Sequence, residues 1–192
     1  MHPTTRRTVL LAASMAAIVF VFGFATLKGR SLFGGGESDA AVQRGAYLVS
    51  IMGCHDCHTP LKLGPNGPEP DMSRMLSGHP EQVGRLPNVK AAEPFMWSGF
   101  ATNTAFSGPW GVSYTFNLTP DQNTGLGIWT EDMFVAAIRT GRHMGVSGPI
   151  NPPMPWPAYR NATDDDLKAI FAYLRTIKPI VNHVPAYEPV EE

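Results

Sequence analysis

Residues 54–58 read C-H-D-C-H and contain the only two cysteines of the chain. The pattern C-x-x-C-H is the attachment signature of c-type haem, in which two thiols one helical turn apart each form a thioether to a haem vinyl group. The adjacent His58 can then supply an imidazole nitrogen to the iron as its proximal ligand. The motif predicts one covalently attached haem c, held by Cys54 and Cys57, with His58 as an axial ligand.

Three other interpretations of the two cysteines are weaker. A zinc site would need further Cys or His residues at matching spacing, and the chain has no second C-x-x-C. A thioredoxin-like redox pair would follow a strand in a βαβ context, which this neighbourhood lacks. A disulfide across two residues is strained and leaves His58 unexplained. A single haem favours single-electron transfer over multi-electron chemistry.

The second axial position of the iron has several candidate ligands. The methionines that follow the motif are Met72, Met75, Met96, Met133, Met144 and Met154. Met154 has a proline on each side, and because prolines fix the local backbone, this loop can hold a thioether at the iron with little ordering cost. Met144 is the second candidate, and His143 or His183 could ligate instead. A methionine ligand suits electron transfer, whereas a vacant or displaceable position would bind small molecules.

Three segments predict helices that would position these residues: 39–52, 130–141 and 163–178. The first leads directly into the motif with apolar side chains at helical spacing. The second begins with Thr130, a good N-cap residue. The last follows the 3.6-residue period, and Thr163 resembles the start of a capping box. Gly45 would normally weaken the first helix, and a close crossing with Tyr173 or Leu174 of the last helix would explain it.

These features together resemble the class I cytochrome c family: an N-terminal helix, C-x-x-C-H, a helix beginning W-T-E, a Met-Pro loop and a final helix of the pattern D-L-x-x-I-x-x-Y-L. Five short stretches are similar to a bacterial membrane-bound branch that includes haem subunits of periplasmic dehydrogenases and terminal oxidases. They are Asn117-Leu118-Thr119-Pro120-Asp121, Thr124-Gly125-Leu126-Gly127, Trp129-Thr130, Arg139-Thr140-Gly141 and Pro152-Pro153-Met154-Pro155. The resemblance covers about residues 40–187. It implies an all-α cytochrome c domain with Met154, in its proline-bearing loop, as the distal ligand.

The segment between His58 and Met154 is longer than in small cytochromes of this class, and the excess is an irregular insert at about 59–115. A loop of this length in a small domain is usually functional or stabilised by partners. It could cover the haem edge, form a docking surface or wrap the domain passively, and the sequence does not separate these possibilities.

The N-terminal part predicts a membrane anchor. Residues 8–27 are uncharged and lie between basic pairs, and twenty helical residues span about 30 Å, the thickness of a bilayer core. A cleaved signal peptide is less favoured because its small-x-small site, residues 23–25, would lie inside the apolar run. We therefore expect a cytoplasmic N-terminus and transmembrane anchor at 1–30, a flexible linker at 31–38 and the cytochrome domain at 39–192. Because c-type haem is attached outside the cytoplasm, the expected localisation is single-pass in the inner membrane, with the haem domain in the periplasm.

The charge balance indicates the kind of partner. Beyond residue 30 the chain has eleven basic and sixteen acidic side chains. This net negative charge argues against nucleic acid as a partner and favours a protein. No nucleophile, acid/base pair or substrate pocket is evident, so the chain is not predicted to be an enzyme. The expected function is single-electron transfer by a membrane-anchored cytochrome between a donor and an acceptor protein, as a mobile carrier or as a haem subunit of a larger respiratory or photosynthetic membrane complex. The alternative is a gas-binding or peroxidatic haem protein with a displaceable sixth ligand.

Overall fold

The helices and strands come from a computed structural model that describes residues 36–86 and 97–190. Within these ranges the helices are α1 (Gly36–Ile51), α2 (Cys54–His58), α3 (Glu131–Thr140), α4 (Trp156–Tyr159) and α5 (Asp164–Leu174). The strands are β1 (Leu61–Gly64), β2 (Gly67–Pro70), β3 (Ser98–Gly99), β4 (Ala105–Gly108) and β5 (Gly111–Tyr114). Short 3-10 turns occur at Met72–Arg74 and His143–Gly145.

The first and last of these helices, α1 and α5, cross at Gly45. A Cβ atom on Gly45 would lie 1.9 Å from the carbonyl oxygen of Ala169 and 2.8 Å from the Cβ of Tyr173. Beside the crossing, Arg44 Nε donates a 2.9 Å hydrogen bond to Asp166 Oδ1. The predicted close crossing is confirmed, and it explains why a poor helix former occupies the middle of α1.

The ends of α3 and α5 follow the capping residues in the sequence. Thr130 Oγ1 accepts a hydrogen bond from the backbone N–H of Met133, and Thr163 Oγ1 accepts one from the N–H of Asp166. Gly141 ends α3 in the left-handed conformation, with φ 67°. Both predicted N-caps are confirmed. The last helix ends at Leu174, earlier than the expected run to residue 178.

The core lies where the apolar faces of α1, α3 and α5 meet. Its buried side chains include Leu48, Val49, Leu126, Phe134, Ile138, Leu167, Ile170 and Leu174. Each fully buried side chain of this size contributes about 1.5–3 kcal/mol relative to exposure. This helical arrangement supports the short helix α2, which carries the C-x-x-C-H motif.

The predicted all-α fold class is wrong, because the expected irregular insert at 59–115 forms two antiparallel sheets. In one, β1 pairs with β2 so that Gly64 faces Gly67; in the other, β4 pairs with both β3 and β5, and Gly108 faces Gly111. Both tight hairpins therefore have a two-residue loop beginning with proline, a residue favoured at this position of a turn. The strands have only two to four residues, too few to show an alternating pattern in the sequence.

The segment 178–190 runs back along the insert. The backbone groups of Val112 and Glu188 exchange two hydrogen bonds of 2.8 and 2.9 Å. Asn182 is fully buried, and its side-chain amide donates to the carbonyl oxygens of Ser77 and His79. This segment and the insert therefore stabilise each other.

No helix within the described ranges is long and apolar enough to cross a membrane. The longest of them, α1, has 16 residues, about 24 Å, and carries Asp39 and Arg44. The predicted single-pass localisation in the inner membrane, with a periplasmic haem domain, is therefore withdrawn. The expected anchor at 8–27 and residues 31–35 of the expected linker lie outside the described residues.

Candidate haem-binding site

A cavity of about 470 Å³ lies beside the core and is lined by residues of α2, α3, α5, the β4–β5 hairpin and the loop 149–155. Its walls are mainly apolar and include Leu126, Trp129, Phe134, Ile138, Ile150, Leu167 and Ile170. The four residues that the sequence nominates as haem attachments and iron ligands, Cys54, Cys57, His58 and Met154, all line this cavity. The structure therefore brings together His58 and Met154, which are 96 positions apart in the sequence.

The motif is carried by a single helical turn. Gly53 adopts the left-handed conformation, with φ 68°, and so allows the chain to turn between α1 and α2. Cys54 and Cys57 are free thiols, both half-buried. Burial raises the pKa of Cys54 to about 11 and also raises the pKa of Cys57, so both are protonated near neutral pH.

The imidazole of His58 is buried and fixed in one orientation. Its Nδ1 lies 2.8 Å from the carbonyl oxygen of Phe116, and because a carbonyl can only accept, Nδ1 carries the proton. Burial lowers the pKa of His58 to about 4, against the opposing effect of this hydrogen bond. At neutral pH the ring is therefore neutral, and Nε2 keeps a lone pair. Histidine ligands to metals typically donate a hydrogen bond from the ring nitrogen that does not bind the metal, and this bond fixes the tautomer.

The backbone at Phe116 is held by the residues that follow it. Asn117 is fully buried; its Oδ1 accepts from the N–H and the hydroxyl of Thr119, and its Nδ2 donates to the carbonyl of Ile180 at 2.8 Å. The N–H of Leu118 donates to the carbonyl of Leu76 at 2.9 Å. The stretch 117–121, which carries part of the family resemblance, thus fixes the Phe116 carbonyl that accepts the hydrogen bond from His58. Sequence reasoning missed Phe116, because a backbone carbonyl has no residue-type signal.

Met154 lies in a loop that closes the cavity on another side. Its N–H donates to the carbonyl of Asn151 at 3.3 Å, and the Pro152–Pro153 peptide bond is cis. Met154 both lines the cavity and packs against the core. Met144 packs against the same core but does not line the cavity, which distinguishes the two leading candidates for the sixth ligand.

The other methionines are less suitable as ligands. Met133 and Met75 pack against the core without lining the cavity, and Met72 is exposed. Met96 lies outside the described residues.

The alternative histidine ligands differ in their surroundings. His143 lines the cavity, and its ring packs edge-on against Trp129 and Phe116 at centroid distances of 4.9 and 5.1 Å. Burial lowers its pKa. His183 lines a neighbouring cavity of about 390 Å³, to which His143 also contributes.

The insert forms one wall of the main cavity. Phe106 of β4 and Ser113 and Tyr114 of β5 line it, and so does Tyr187 from the segment that runs along the insert. Tyr187 also donates a hydrogen bond from its hydroxyl to the carbonyl of Trp110. Of the three possibilities that the sequence left for the insert, the structure supports covering the cavity.

The residues around this cavity match the requirements of a covalently bound haem. The walls are apolar, as a porphyrin requires, and the donors are two thiols, a neutral imidazole and a thioether. When bound, the haem would supply the one-electron change at its iron, while the chain would supply attachment, axial ligands and a mainly apolar surrounding.

Comparison with known proteins identifies the class to which the chain is related: its homologues are cytochrome c subunits of bacterial dehydrogenases. The predicted resemblance is thereby confirmed, and the cofactor that these homologues imply is covalently bound haem c. No protein-family model matches the chain.

Three relatives illustrate this class. The chain is 29% identical over 165 residues to the gluconate 2-dehydrogenase cytochrome c subunit of Pantoea cypripedii, covering 85% of this chain and 28% of the relative. It is 26% identical over 172 residues to the cytochrome c subunit of the quinone alcohol dehydrogenase of Gluconobacter oxydans, covering 88% and 27%. It is 30% identical over 142 residues to the fructose dehydrogenase cytochrome subunit of Gluconobacter japonicus, covering 73% and 22%. The chain thus spans about a quarter of the length of these relatives.

Proposed function

We propose that this chain transfers single electrons as a haem c subunit of a dehydrogenase complex. In this proposal Cys54 and Cys57 attach one haem, and His58 and Met154 are the axial ligands of its iron. The observation that carries the proposal is the convergence of two thiols, a neutral imidazole with a free Nε2 and a thioether on one apolar cavity. The relatives support it, since they are cytochrome subunits of gluconate, alcohol and fructose dehydrogenases.

The surroundings of the cavity suit one-electron transfer. A thioether ligand stabilises the reduced iron, and apolar walls disfavour the additional positive charge of the oxidised state, so both raise the reduction potential. The ligands reach the cavity from a helix and a proline-rich loop, two supports that can keep their positions when the iron changes charge. Little rearrangement on oxidation favours fast exchange of electrons.

The proposal assigns substrate oxidation to another subunit. This chain would receive electrons from a catalytic dehydrogenase subunit and deliver them to a second redox protein. The names of these three relatives suggest a sugar, sugar acid or alcohol as the substrate of that catalytic subunit.

The ligand set can be tested with Met154→Ala and the matched variant Met144→Ala, each purified with its haem. The oxidised wild-type protein should show the weak far-red absorption band of methionine sulfur on haem iron, and its reduced form should bind CO poorly. Met154→Ala should lose the band and bind CO readily, because the sixth position becomes available. Met144→Ala should keep the band, since Met144 does not line the cavity.

Two results would contradict the proposal. A haem that can be extracted by acidic organic solvent would exclude thioether attachment at Cys54 and Cys57. A wild-type protein that lacks the band and binds CO at once would favour a gas-binding or peroxidatic haem protein.

A further inference from the structure

The β4–β5 hairpin contacts the Met154 loop through a buried hydroxyl. Ser113 in β5 is 8% exposed, and its Oγ lies 2.6 Å from the carbonyl oxygen of Pro152. Because a carbonyl oxygen can only accept, the hydroxyl donates to Pro152, two residues before Met154. The sheet of the insert is thereby bonded directly to the loop that carries the proposed ligand.

The direction of the Ser113 hydroxyl is set by its neighbours. Trp110 Nε1 donates to Ser113 Oγ at 3.3 Å. A second possible acceptor, the carbonyl of Phe106, lies at 3.4 Å, much farther than Pro152. The single hydroxyl proton therefore goes to the 2.6 Å contact, and the donation from Trp110 strengthens it, since hydrogen bonds in a chain polarise one another.

Strand β5 is a firm support for this contact. It pairs with β4 on one side, and on the other Val112, next to Ser113, exchanges two backbone hydrogen bonds with Glu188. The Met154 loop has weaker internal bonding, with a 3.3 Å hydrogen bond from Met154 to Asn151. A bond between the two segments therefore positions the loop more than it positions the strand.

We propose that Ser113 is a positioning residue that holds the Met154 loop against the haem cavity and so controls how readily the sixth position opens to an external ligand. This inference rests on the proposed ligation by Met154. The net free energy of one hydrogen bond corresponds to about a 5-fold change in an equilibrium constant. Loss of the Ser113–Pro152 bond should therefore raise the open population of the loop by about that factor. The insert would then take part in tuning the iron site, in addition to covering it.

The test is a titration of the oxidised, haem-containing proteins with imidazole, in which the loss of the far-red band measures binding. Imidazole competes with the methionine, so its apparent affinity increases with the open population of the loop. Ser113→Ala should bind imidazole about 5-fold more tightly than the wild type. Ser113→Thr keeps the hydroxyl and should titrate close to the wild type.

The matched control is Ser107→Ala, which removes another buried hydroxyl from the same sheet at a position that does not line the cavity. It should titrate like the wild type even where urea unfolding shows a loss of stability. Trp110→Phe removes the donor to Ser113 and should shift the titration in the same direction by a smaller factor. If Ser113→Ala does not fold, the imidazole titration of Trp110→Phe tests the positioning role of Ser113 instead.

The two proposals can fail separately. If the wild type shows the band but Ser113→Ala and Trp110→Phe titrate like it, or Ser107→Ala shifts equally, the positioning role is overturned while ligation by Met154 stands. If the wild type lacks the band, the ligation itself is wrong and the role of Ser113 falls with it.

Discussion

Among single residues, His58 is prepared for iron ligation by a hydrogen bond of one ring nitrogen, which leaves the other ring nitrogen unprotonated. Its Nδ1 is bonded to the carbonyl of Phe116, which leaves Nε2 without a proton. That carbonyl is in turn fixed by the buried side chain of Asn117 and its neighbours. The orientation of the imidazole therefore depends on Asn117, which does not itself line the cavity.

Asn182 gives the sharpest stability prediction for a single residue. It is fully buried; its Nδ2 donates to two carbonyls at 2.7 and 2.8 Å, and its Oδ1 accepts from Arg74 Nη2 and from the N–H of Glu81. Asn182→Ala leaves these partners unsatisfied, so the free energy of unfolding should fall by about 2–4 kcal/mol. Urea denaturation of the protein with its haem measures this loss.

The control for this variant is Asn161→Ala. Asn161 is exposed, and its amide donates two 3.2 Å hydrogen bonds to nearby carbonyls, so its removal should cost about 0.5 kcal/mol or less. Equal losses in the two variants would show that the buried amide does not tie the segment 178–190 to the insert.

At the scale of helices, the crossing of α1 and α5 depends on the missing side chain at Gly45. In a free helix, Gly→Ala would add about 1 kcal/mol of stability. Here the new Cβ would lie 1.9 Å from a backbone oxygen of α5, so the two helices must move apart. Gly45→Ala should therefore lower the free energy of unfolding by about 2–4 kcal/mol, as measured by thermal or urea unfolding.

Gly148→Ala is the comparison, because a Cβ at Gly148 meets nothing within 4 Å. This variant should unfold at nearly the wild-type midpoint. Stabilisation by Gly45→Ala would mean that the helices do not approach as closely as the structure shows.

The three longer helices, α1, α3 and α5, could be predicted from the sequence, whereas the short helix α4 and the strands could not. Thr130, Thr163 and Gly141 mark helix ends through local chemistry that is visible in the sequence. Each strand is short and gains its stability from a partner strand, which no local pattern reveals. One signal was available: G-P-x-G occurs at 64–67 and again at 108–111, and both copies form the tight turn of a hairpin.

The candidate site was predictable to a similar extent. Cys54, Cys57 and His58 are recognisable by their spacing, and the prolines around Met154 single out one methionine. Their roles as attachments and ligands remain predictions, although all four line one cavity. The contributions of Phe116 and Ser113 could not be foreseen, because they depend on contacts between segments far apart in the chain.

For the whole molecule, the proposed place in a complex gives a separate prediction. A tagged chain purified gently from its native host should bring down a catalytic dehydrogenase subunit in a fixed ratio. Addition of that enzyme's substrate should reduce the haem, as seen in its visible spectrum. Met154→Ala should retain the partner, since Met154 lines the cavity, but should be reduced more slowly.

Two outcomes would count against a stable subunit. Recovery of the chain without a partner, but with rapid reduction by a separately added dehydrogenase, would identify a mobile carrier. Absence of reduction by any such enzyme would contradict electron transfer from a dehydrogenase.

The pairing of the insert with the segment 178–190 has a consequence for the order in which the molecule is completed. Asn182 bonds to the carbonyl of Ser77, 105 positions earlier, so that wall of the cavity can close only when both of these distant segments have come together. Contacts between such distant positions also form slowly, because the intervening chain must first be brought together. Until these contacts form, the cavity lacks one wall, and we expect haem attachment at Cys54 and Cys57 to take place in that interval.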